Sequence, residues 1–158
     1  MAKLVVDRIE CISSTDRTGD DLYFLVMHFD PNCNVHRVGP NSAWADMEDG
    51  DVRHADVVLV DNVSGEYIVA VLDEDDSYDF DSELRSELSG AMRFIYKLTS
   101  QIEKDRGRLL GQMMTHFASQ IGRKRTNDDL LSVQAVSGAT VMSVIGQGAR
   151  YQITLKTA

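Results

Sequence analysis

The chain has 158 residues, 43% of them hydrophobic and 26% charged, which is the composition of one globular domain and not of a disordered chain. Its net charge of −9 argues against a nucleic-acid partner. It has no apolar run of about 18 residues that could span a bilayer as a helix.

The first segment, "KLVVDRIECI" (3–12), is apolar and β-branched and predicts a strand. The N-terminus lacks the continuous apolar stretch of a signal peptide, so the cytoplasm is the default expectation. Export through a dedicated apparatus would leave no such mark. "DLYFLVMHF" (21–29) predicts a strong strand between "TGDD" and "DPNCN". Residues 37–51 read mostly as loop, with Trp44 as either a packing anchor or a ligand-facing aromatic. "ADVVLVD" (55–61), the turn "NVSG" and "EYIVAVL" (66–72) together predict a hairpin.

The middle of the chain changes period. Leu84, Leu88, Ala91, Ile95, Leu98 and Ile102 form one helical stripe, and Leu110, Met114, Phe117 and Ile121 form a second after "KDRG". An αα-hairpin inserted at about 82–125 follows. From 126 the strand pattern returns. In "RYQITLK", Tyr151, Ile153 and Leu155 alternate with Gln152, Thr154 and Lys156. The expected fold is therefore mainly β: a single antiparallel β-sandwich domain with an inserted helical hairpin.

Charge is unevenly spread. Residues 1–81 carry 19 acids against 5 bases, whereas residues 82–126 carry 4 acids against 9 bases. The densest acidic stretch is "DEDDSYDFD" (73–81), directly after an apolar strand. Two like charges about 4 Å apart repel by roughly 4 kcal/mol at an effective dielectric of 20, so converging carboxylates need compensation. A hard, oxygen-seeking cation such as calcium is one source; simple hydration of a turn is the other. The stretch is not an EF-hand. Counted from Asp73, the sixth position, which requires glycine, is Tyr78, and the twelfth, which requires glutamate, is Leu84.

A site assembled from several loops needs a second acidic loop, and "DRTGDDLYFLV" (16–26) supplies one. This segment resembles the first calcium loop of C2 domains. "VLDEDD" (71–76) is similar to the opening of their third loop and "TNDDLLS" (126–132) to its close. Leu22 stands where the family has proline and Ser132 where it has glycine. The resemblance covers roughly residues 3–81 and 126–156 and is weaker in "GPNSAWADMEDGD" and "GARYQITL", which are similar to segments of bacterial C2-like domains. It implies a C2-like fold with the hairpin inside the third calcium loop, and Ca2+ ligands Asp16, Asp21, Asp73, Asp75 and Asp129, with Asp128 as a sixth. Asp20 competes with Asp21, because the first loop is one residue short.

The resemblance further implies a module making calcium-dependent contact with an anionic membrane surface or a protein partner. Arg123, Lys124 and Arg125, at the end of the second helix, would add attraction to anionic headgroups. Met113, Met114 and Phe117 are the alternative, protein-facing contact, although a helical stripe is more often core. The other functional expectation is a metal-independent interaction or self-assembling structural subunit, a homo-oligomer using its acidic end and basic hairpin. Enzymatic activity is not expected: His28, His36, His54 and His116 come with no nucleophile elbow, P-loop or metal-binding histidine pair. Cys11 and Cys33 lack metal-ligand spacing and read as two reduced thiols.

Overall fold

A computed structural model describes residues 2–14, 19–74, 81–124 and 128–158. Among these residues eight strands form two four-stranded antiparallel sheets, with two α-helices. The strands are β1 (Leu4–Ser13), β2 (Leu22–His28), β3 (Val35–Val38), β4 (Val52–Val60), β5 (Tyr67–Asp73), β6 (Asp129–Val136), β7 (Thr140–Gly146) and β8 (Ala149–Thr157). The first sheet has the order β4-β1-β8-β7 and the second β3-β2-β5-β6. The helices α1 (Ser82–Ile102) and α2 (Arg106–Gly122) lie between β5 and β6 in sequence. The sandwich with an inserted helical hairpin is thus the observed architecture.

Two cores stack into three layers. Leu22, Phe24, Val26, Val69 and Val71 face Leu4, Val6, Ile9, Ile153 and Leu155 of the first sheet. The opposite face of the second sheet presents Tyr23, Leu25, Met27, Ile68, Ala70 and Leu72 to Leu88, Met92, Leu109, Met113, Phe117 and Ile121 of the helices. The second sheet is therefore covered on both sides. This is why β2 and β5 are nearly uninterrupted apolar runs, whereas the outer-sheet strand β8 alternates, with Tyr151, Ile153 and Leu155 inward.

The hairpin is delimited by side-chain caps. Asp81 accepts from the Leu84 amide at 2.9 Å and Asp105 from the Arg108 amide at 2.9 Å. Lys104 and Asp105 lie in the break that "KDRG" predicts between the two helices. The α2 stripe begins one residue earlier than expected, on Leu109 and Met113 rather than Leu110 and Met114. In α1 the expected stripe leaves the core: Leu98 is 49% and Ile102 87% exposed. Periodicity locates a face, but the buried residues of this 21-residue helix are Leu88, Ser89 and Met92, and Ile95 and Tyr96 are the last of its apolar side chains packed on the core.

One expected pairing is absent. Strands β4 and β5 do not form a hairpin: β4 pairs with β1, and β5 runs between β2 and β6. The connection crosses from one sheet to the other. It is held by Tyr67, whose hydroxyl accepts from the Ser64 amide and donates to the Asn62 carbonyl, in place of ladder bonds. Near the open side of the sandwich, the His36 imidazole meets the Leu59 carbonyl at 2.6 Å and ties β3 to β4. On the other side β6 and β7 approach so closely that a Cβ on Gly146 would lie 2.2 Å from the Leu131 carbonyl oxygen.

Phe117→Ala should lower unfolding free energy by about 3–5 kcal/mol in urea denaturation, because it opens a cavity under the hairpin. An exposed control, Thr115→Ala, should stay within about 0.5 kcal/mol of the parent. Equal effects of the two would contradict the packing described.

Candidate functional site

The antiparallel register brings the acidic segments together. Because β2 and β5 run in opposite directions, the start of β2 meets the end of β5, and Leu22 is opposite Asp73. Strand β6 starts at the same level, so Asp129 pairs with Asp73. The Asp21 amide donates to Asp73 Oδ1 at 2.9 Å, and the Asp46 amide donates to Asp21 Oδ1 at 3.0 Å. Four chain segments, around residues 20, 46, 73 and 129, thus converge at one end of the sandwich.

Trp44 organises this end. It is fully buried, its indole Nε1–H donates to the Leu22 carbonyl at 2.7 Å, and its ring meets Phe24 edge-on with centroids 5.6 Å apart. It is a packing anchor. It holds the 41–47 segment against the start of β2, where Asp20 and Met47 exchange both backbone hydrogen bonds. Gly19 has φ +92°, and a Cβ there would sit 2.8 Å from the Asp46 carbonyl carbon, so only glycine admits this approach.

The neighbouring acids divide by environment. Asp20 is fully buried, and its carboxylate accepts a very short hydrogen bond from the Tyr151 hydroxyl of β8. Asp20 is thereby directed into the sandwich, and Asp21 toward the loop carrying Asp46. Asp73 is 1% exposed and is held by the Asp21 amide. Asp128 accepts from the buried Tyr23 hydroxyl at 2.5 Å. The Arg37 guanidinium stacks over the Tyr23 ring at 4.6 Å and pairs with Glu74 at 3.1 Å, which places one cation beside the cluster. The sequence signal for Asp20 was absent, because its role depends on a tyrosine 131 residues away.

Of the expected ligands, Asp21, Asp73 and Asp129 are brought together, with Asp128 beside them on Tyr23. Asp16 and Asp75 lie outside the described residues. Among the described residues no group of three His, Cys, Asp or Glu side chains is placed to hold a metal ion. The donors are all hard carboxylate oxygens, the chemistry calcium takes. A complete shell would have to draw on the first and third loops.

The proposed partner surface is placed differently from the sequence expectation. Met113 and Phe117 are fully buried against the second sheet and hold the hairpin in place; Met114 is half-buried. Arg123 is exposed at the end of α2, Lys124 pairs with Glu87 at 3.5 Å, and Arg125 lies outside the described residues. The hairpin also does not extend the acidic end. It folds back along the second sheet, so that near its turn Arg106 pairs with Glu66 at 3.3 Å and stacks on Phe29 at 4.5 Å, at the far end of β2 and β5.

The histidines near this framework serve structure: His28 pairs with Asp30 at 3.0 Å and stacks on Tyr67, and His36 bridges the sheets. Cys11 and Cys33 are free and buried. Burial pushes the Cys11 thiol up to about 11 and the Cys33 thiol up to about 12. Burial, with the Asp20 hydrogen bond second, also raises the Tyr151 phenol. No helix among the described residues is long and apolar enough to cross a membrane. The fold defines an antiparallel sandwich whose second sheet is roofed by a helical hairpin. No protein-family model matches the chain, and no curated protein matches it.

Two outcomes follow. A thiol whose folded pKa is raised stays protonated while the unfolded chain ionises near pH 8.5, so its stabilisation is complete below that pH and is lost as pH rises toward 11–12. Chemical denaturation from pH 7 to pH 10.5 should show this loss, and the double variant Cys11→Ala, Cys33→Ala should show a flatter alkaline limb. Tyr151→Phe removes a donor from a buried carboxylate and should cost about 1–3 kcal/mol by urea denaturation. An unchanged midpoint would show that Asp20 does not depend on that bond.

Proposed function

We propose that the chain is a C2-like, calcium-binding module that makes calcium-dependent contact with a membrane or protein partner. The observation that carries this reading is the convergence of Asp21, Asp73 and Asp129 from three separate segments at one end of the second sheet. That placement agrees with the order of acidic motifs that resembles the C2 calcium loops. Hydrated turns alone would not need carboxylates opposite one another in the ladder, as Asp73 and Asp129 are.

In this reading Asp21, just before β2, Asp73 at the end of β5 and Asp129 at the start of β6 offer carboxylates at one level, and the ion gathers them together with loop carboxylates. Asp16 and Asp75 complete the site from the loops, with Asp128 as a sixth carboxylate. Bound calcium offsets repulsion among these groups and joins the first loop to the base of the hairpin. Arg37, paired with Glu74, offsets part of the charge without the ion.

Thermal unfolding in chelator, in magnesium and in millimolar calcium tests the proposal. Calcium at about 100 times its dissociation constant stabilises by about 2.7 kcal/mol, or roughly 5–10 °C for a chain of this size. The rise should be selective for calcium and lost in Asp73→Asn combined with Asp129→Asn. Identical transitions in chelator and calcium would sink the reading.

A further inference from the structure

Among the described residues seven large hydrophobic side chains are exposed, and six of them form two groups on opposite outer layers of the molecule. Phe94 (64%), Leu98 (49%) and Ile102 (87%) recur every fourth residue along the outer side of α1. They form the kind of ridge that packs into a groove of another body. Beside the ridge is a groove of about 580 Å³ lined by Pro31, Tyr96 and the stem of Lys97 among others, and beyond it a smaller hollow at Gln112. Ile12, Val52 and Ile145 are exposed on the first sheet. The register places them toward one end of its outer face: Val52 is opposite Glu10, and Ile145 is opposite Arg150, next to Ser13.

The rims of the two groups have opposite charge. Arg93, Lys97 and Arg108 are exposed around the α1 ridge, and none pairs with a carboxylate among the described residues. Asp46, Glu48 and Asp49 are exposed beside the first-sheet group, and none pairs with a cation among the described residues. Among the described residues Arg150 is the base set between Ile12 and Ile145, and Arg8 is taken by Glu10. The basic ridge and the acidic patch lie on the two outer layers of one molecule, so they cannot meet within it.

We infer that the α1 ridge of one copy docks on the acidic end of the first sheet of a second copy, in a head-to-tail contact. Exposed apolar side chains meet exposed apolar side chains, and the exposed cations of the ridge meet the exposed carboxylates of the patch. A two-fold contact of α1 with itself would instead bring Lys97 near its own equivalent. Because the two surfaces differ, the contact is heterologous and repeats: it closes into a ring or extends as a filament. The inference stands apart from the calcium reading and is tested in chelator, so the two fail separately.

Sedimentation velocity in chelator across a wide protein concentration range is the test. The mean mass should rise beyond that of a dimer and fall with added salt, as screened ion pairs require. Leu98→Asp and Ile145→Asp each remove one surface at an exposed position, and each variant alone should be monomeric. Mixed in equal amounts they should form dimers and nothing larger, because each supplies the surface the other lacks and the two altered surfaces repel. A wild-type chain that stays monomeric throughout would overturn the inference. So would an assembly abolished by only one of the substitutions, or a mixture that stays monomeric. Association of wild type only with vesicles of anionic lipid would assign the ridge to a membrane and equally overturn it.

Discussion

The antiparallel pairing of β2 with β5, covered on both faces, is the constraint from which the rest of the molecule follows. A strand pair enclosed by two layers has no place along its length for an unpaired charge, since burying one costs far more than a hydrogen bond returns. The charges are displaced to the strand ends. Antiparallel pairing then puts the start of β2 and the end of β5 at the same level, so Asp20, Asp21 and Asp73 meet by geometry. The acidic end is a consequence of the apolar centre.

The carboxylates gathered there are given different environments. Asp20 is turned inward to Tyr151, Asp73 accepts the Asp21 amide, Asp128 accepts the Tyr23 hydroxyl, and Glu74 takes Arg37. Each of these bonds joins segments distant in sequence, and with the Asp46 amide on Asp21 and the Asp20–Met47 backbone pair the acidic end ties both sheets and the loop around Trp44 together. The hairpin starts and ends at this end but lies back along the sheet, so that Arg106, near its turn, is at the far end of the strands while Arg123 and Lys124 are at the end where β6 begins.

Much of this was legible in the sequence. The unbroken apolar runs of β2 and β5 and the alternation of β8 identify buried and half-buried strands, and the two stripes with Asp105 at the break identify the hairpin. The sheet to which a strand belongs was not legible. "ADVVLVD" and "EYIVAVL" read as neighbours because their turn is short, yet the turn crosses between sheets on Tyr67. Nor was the point where the α1 stripe leaves the core: it continues in sequence through Leu98 and Ile102, which are exposed. At the acidic end the motif order indicated which segments meet. It could not separate Asp20 from Asp21, because the deciding group is a hydroxyl on the last strand.

The central claim is that carboxylates from these separate segments act together on one ion. Calorimetric titration of calcium into metal-free protein tests it most directly. The account predicts saturable binding that magnesium does not reproduce, abolished by Asp73→Asn and retained in Asp20→Asn, whose side chain faces Tyr151. Absence of binding heat at several temperatures, or calcium binding indifferent to Asp73, would contradict it.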